Sequence, residues 1–128
     1  MKSNNDLTGE WIQKAEEDIQ AVEIILKSDK IPASVVCFHS QQAVEKFLKA
    51  YLTFRNIEFE YVHDMEYLIN LAVNSDKEFV NLITLVKKLD KYSVTIRYPY
   101  FYKPSIDEAK ESHDIAIKVK EFILGKLK

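Results

Sequence analysis

Residues 33–55, "ASVVCFHSQQAVEKFLKAYLTFR", decide the fold. Turned by about 100° per residue, this stretch gathers Val36, Ala43, Val44, Phe47, Ala50, Tyr51 and Phe54 into one apolar arc, with Cys37 and Leu48 on its edge. The opposite arc carries His39, Gln42, Glu45, Lys46 and Lys49. An apolar arc facing a polar stripe over so many residues predicts a long amphipathic helix that builds core with one side. Pro32 stands in front of it, where a missing N–H would have no helical partner in any case.

The same pattern extends outward. After a polar tail to about Leu7, the residues Ile12, Ala15, Ile19, Val22 and Leu26 recur at steps of three and four, predicting a first helix that ends near Ser28. Beyond the central helix, Asp64 is placed to cap "MEYLINLAVN". Ser75 and Glu78 read as a capping box opening "DKEFVNLITLVKKLDKY", with Phe79, Leu82, Ile83, Val86 and Leu89 on one face. Ser105 and Glu108 form a second such box before a last helix with Ala109, Ser112, Ala116, Val119 and Ile123 as its buried stripe. Five helices with short connections predict an all-α, up-and-down antiparallel bundle, one domain over residues 1–128 with its core at about 9–125.

Composition agrees. The chain has 128 residues, 47% hydrophobic and 30% charged, with 2 glycines and 3 prolines, too few breakers for an all-β protein rich in turns. A net charge of -2 argues against binding nucleic acid through bulk electrostatics, so any such contact is expected at a local site. The single cysteine, Cys37, excludes an intramolecular disulfide and reads as a small core residue in a reducing compartment, which points to the cytoplasm. No apolar run approaches the roughly 18 residues a membrane span needs, and no secretory signal opens the chain. Glycine-rich phosphate loops, nucleophile elbows and metal-ligand spacings are absent; His63 and His113 read as structural or surface residues, and no metal or cofactor is expected.

Residues 89–104, "LDKYSVTIRYPYFYKP", break the helical pattern. Here Arg97 sits among Tyr92, Tyr98, Tyr100, Phe101 and Tyr102. A guanidinium in such company suits bidentate binding of a phosphate while a tyrosine stacks on a base. It equally suits a structural clamp, stacked on tyrosine or paired with Asp90 or Asp18. The polar stripe of the central helix is similarly open. His39, Gln42, Lys46 and Lys49 project together and present donors to a phosphate or ribose edge, yet a solvated outer face with an ordinary Glu45–Lys49 pair has the same pattern.

The blocks "AEEDIQA", "CFHSQQAVEKFLKAYL", "VHDMEYLINL", "YSVTIRYP" and "EAKESHDIAIKVKEFI", taken in this order, resemble the HEPN domain family from about Trp11 to Ile123. The "CFHSQQAVEKFLKA" block and the "RYP" tripeptide carry most of that resemblance. It implies an all-α homodimer, often encoded beside a minimal nucleotidyltransferase, sometimes as a toxin and antitoxin pair, and associated with nucleotide or RNA recognition. By position, Arg97 matches the arginine of the family's loop, Gln42 and Lys46 its central helix, and His63 a histidine that opens its third helix. Members that cleave RNA follow the arginine with a histidine, whereas the corresponding window here holds Tyr102, Lys103 and Pro104. With an unperturbed pKa near 10, tyrosine is a poor general base at neutral pH.

The expected function is therefore a binding module without catalytic residues, in which Arg97, Tyr98 and Tyr102 with Gln42, Lys46, Lys49 and His39 hold a nucleotide or RNA phosphate. Two other readings compete with it. One is a metal-independent endoribonuclease with an atypical site around Arg97; the other is a dimeric adaptor whose aromatic segment is an interface plug.

Overall fold

The structure is a computed structural model, described here for residues 1–92 and 102–128. Among the described residues it is built of five α-helices and one 3-10 helix, with no strand: α1 (Asn4–Leu26), α2 (Ala33–Phe54), α3 (Met65–Ser75), the 3-10 helix (Lys77–Leu82), α4 (Ile83–Leu89) and α5 (Ile106–Lys126). This is the helical bundle expected. None of these helices is long and apolar enough to cross a membrane.

α2 is the central element. Thirteen of its 22 residues are buried, so it is enclosed on more than the single arc that periodicity assigned to it. Asp18 of α1 bonds both His39 and Lys46, while Glu16 and Glu23 of α1 meet Lys120 and His113 of α5. The last two pairs make α1 antiparallel to α5, and the order Asn4–Asn56, Trp11–Lys49, Asp18–His39 makes it antiparallel to α2, so α2 and α5 run in the same direction. Phe79 ties the 3-10 helix to this frame, its ring centroid 4.4 Å from that of Tyr51 and, edge to face, 5.0 Å from that of Phe122.

Several boundaries follow local chemistry. α2 ends in a Schellman arrangement: Asn56 takes the left-handed region at φ 58, and the N–H groups of Asn56 and Ile57 donate to the carbonyls of Thr53 and Leu52. Asp64 caps α3 through the N–H of Tyr67, and the Ser105–Glu108 box opens α5, both as the sequence predicts. The stripe of α5 is buried at every predicted position.

Two boundaries differ from expectation. α1 begins at Asn4, inside the predicted polar tail, because Ser3 and Asp6 form a reciprocal capping box that satisfies its first amides. The predicted fourth helix does not begin in a Ser75–Glu78 box. Ser75 closes α3 and bonds Tyr51, whereas extended Asp76 (φ -149) caps the following turn through the N–H of Glu78. That turn is 3-10, whose three-residue period aligns the buried Phe79 and Leu82 on one side before α4 begins.

Candidate functional site

Three carboxylates organise the polar groups of the bundle. Asp18 lies on α1 three residues from Ala15 and four from Val22, so the helix turns it inward beside the core stripe. There its Oδ1 meets His39 Nδ1 at 2.8 Å and its Oδ2 accepts from Lys46 Nζ at 2.6 Å. The nearly buried carboxylate thus takes up two of the cations on the α2 stripe.

Glu45 is the second node. It is 1% exposed, and its Oε2 accepts from Lys49 Nζ at 3.0 Å and lies 3.0 Å from Nδ1 of His63. Lys49 is itself 4% exposed, with its ammonium 5.3 Å from the ring centroid of Trp11. The Glu45–Lys49 pair expected from spacing exists, but the expectation of a solvated outer face is overturned. α1 and the turn before α3 cover this side of α2, desolvating the pair. Gln42 donates to Gln41 Oε1 at 2.9 Å, while the buried Gln41 Nε2 and Ser40 Oγ have no hydrogen-bond partner among the described residues.

Glu108, at the first turn of α5, is the third node. Its Oε1 accepts from the Ser105 N–H at 3.0 Å. Its Oε2 accepts from the hydroxyls of Tyr102 and, at 3.4 Å, Tyr92, with Lys91 Nζ 3.5 Å away. The Lys91 ammonium also lies 4.6 Å from the ring centroid of Tyr102. The Tyr102 hydrogen bond, the helix-start amide and Lys91 together hold the Glu108 carboxyl down at about 2. In return, the bond to Glu108 pushes the Tyr102 hydroxyl up, while burial does the same for Tyr92 and for the Cys37 thiol beside Tyr92 and Ser112. Tyr102 at neutral pH is therefore a protonated donor to a carboxylate and has no tendency to accept a proton.

Of the residues expected to bind ligand, Arg97 and Tyr98 lie outside the described residues, as do Tyr100 and Phe101. Tyr102 stands 38% exposed at Glu108. His39 and Lys46 share Asp18, Gln42 joins Gln41, and Lys49 is drawn into the buried Glu45 pair. The stripe is thus one continuous face, but its charges are compensated inside the fold. Spacing named the Glu45–Lys49 pair and the Ser105–Glu108 box, but it missed the bonds of Asp18 and the partners that reach Glu45 and Glu108 from outside their own helices. For Asp18 the signal was its place on the Ala15–Val22 stripe, and for Glu108 it was two tyrosines flanking one segment. Among the described residues, no three His, Cys, Asp or Glu side chains converge as metal ligands.

Comparison with known proteins places the chain in a family. A family model described as HEPN domain matches residues 8–127. The protein named "Putative toxin MJ1304" of Methanocaldococcus jannaschii is 31% identical over 129 aligned positions, spanning 92% of this chain and 84% of that one. The crystal structure of ST0689, described as an archaeal HEPN homologue, superposes with a TM-score of 0.76 at 26% identity over 100% of both chains. That of TT1696 from Thermus thermophilus gives 0.76 at 25% identity, over 94% of this chain and 98% of its own. The chain belongs to the HEPN domain family.

Proposed function

We propose that this protein is the HEPN component of a toxin–antitoxin pair: a non-catalytic homodimer that binds nucleotide or RNA phosphate through Arg97 and acts with a minimal nucleotidyltransferase. The observation that carries the reading is the likeness to the M. jannaschii protein named "Putative toxin MJ1304", which extends over nearly the whole chain. The internal pairing of His39, Lys46 and Lys49 adds to it, because it concentrates the phosphate-binding role on Arg97 and its tyrosines. Tyr102, bonded to Glu108 and raised in pKa, supports binding over proton transfer.

The test is calorimetric titration of the purified protein with ATP, with a short single-stranded RNA and with inorganic phosphate, comparing wild type and Arg97→Ala at equal helicity. Binding of ATP or RNA in preference to phosphate, lost on Arg97→Ala, is the expected result. Equal response to all three anions, or binding indifferent to Arg97, overturns it. Cleavage of labelled RNA in chelator, abolished by Arg97→Ala, would replace it with the ribonuclease reading.

A further inference from the structure

At the end of the bundle where α1 begins and α2 ends, a groove of about 530 Å³ opens to solvent, far along α2 from Glu108. Leu7 and Trp11 of α1 form one wall, and Ile57, Phe59 and Tyr61 of the segment after α2 form the other, with Glu58 at the rim. Phe59 stands between the other two rings, 6.4 Å from Trp11 at 55° and 6.0 Å from Tyr61 at 74°.

The wall is built into the fold as far as Glu60, beyond which Tyr61 stands 86% exposed. The Schellman turn fixes Ile57, Asn4 bonds Asn56 at 3.0 Å, and the Glu60 N–H donates to the Tyr67 hydroxyl at 3.1 Å. A volume of this size falls within the range of small-molecule sites. Its electrostatics select the ligand. Aromatic faces attract cations, and Trp11 already draws the Lys49 ammonium to 5.3 Å. Of the charged residues lining the groove, Glu10 is already bonded to Lys2 at 2.6 Å, which leaves Glu58 and Lys14. Glu58 has no ion pair among the described residues, while Lys14 leans toward Glu17 at 3.8 Å.

We infer that this groove binds a small alkylated ammonium ion, held by the Trp11, Phe59 and Tyr61 rings and neutralised by Glu58. The site lies apart from Glu108 and asks for a ligand of opposite charge to a phosphate. A quaternary ammonium fits better than a primary one, because it sheds its water more easily and touches rings with its methyl groups.

Trp11 is the only tryptophan of the chain, so its emission reports occupancy of the groove. The experiment titrates the full chain with choline and with its uncharged carbon isostere, in which a tert-butyl group replaces the trimethylammonium. Choline should shift the emission saturably and bind about tenfold more tightly than the isostere. Tyr61→Ala and Glu58→Gln, both at exposed positions, should weaken choline severalfold with helicity unchanged, and Lys14→Met should tighten it. Equal binding of the isostere, or no saturation, overturns the inference. So do charge variants acting with reversed signs, which would assign the groove to an anion.

Discussion

Glu45 shows how a single residue governs the candidate face. Its carboxylate is 1% exposed in the company of a 4% exposed lysine, so the pair has lost most of its water and depends on mutual charge and on His63. Breaking such a pair leaves an uncompensated buried charge, whereas replacing both members by apolar groups is far better tolerated. Lys49→Met should therefore cost about 3–5 kcal/mol in urea denaturation, and Glu45→Leu added to it should recover most of the loss. A single-variant cost below about 1 kcal/mol would mean that the pair is solvated after all. Spacing placed these two residues together correctly. It could not reveal their burial, because an i,i+4 pair looks the same on a wet face and beneath a second helix.

At the scale of the element, α5 starts at a carboxylate with two tasks. Glu108 closes the capping box with Ser105 and receives the hydroxyls of Tyr92 and Tyr102, the described residues on either side of the aromatic segment. Its folded pKa, lowered from 4.5 to about 2 chiefly by Tyr102, gives a definite sign. A depressed carboxyl stabilises the fold fully above its unfolded value, and that contribution disappears as pH falls from 4.5 through about 2. Thermal melts over that window should show a fall in Tm that Glu108→Gln flattens and Tyr102→Phe reduces, with Glu108→Gln already less stable near neutrality. Parallel pH profiles for all three proteins would contradict the arrangement. The box and the Asp64 cap were legible because their partners lie three residues away. The 3-10 turn was not: Asp76 competes with Ser75 for the cap, and its position is reinforced by Lys126 at 2.9 Å from the far end of the chain. Asp18 was hidden in the same way, since its partners His39 and Lys46 lie on another helix and intrahelical periodicity carries no information about them.

Across the whole molecule, the burial of α2 argues that the bundle unfolds as one unit. Every other described helix contributes to the same core cluster, and Phe79 links three of its elements through Tyr51 and Phe122. Phe79 is fully buried, so Phe79→Ala removes a ring that the surrounding helices cannot replace without moving. The expected cost is about 3–5 kcal/mol, a large part of the roughly 5–15 kcal/mol by which such a domain is stable. Trp11 emission reads the groove end, while far-UV circular dichroism reads all helices together. For one cooperative domain both should give the same urea midpoint in wild type, and Phe79→Ala should lower both by the same amount. If Trp11 instead reported an earlier transition that Phe79→Ala left unmoved, the groove end would be a separately unfolding unit. The aromatic groove would then be a property of a local opening equilibrium rather than of the bundle.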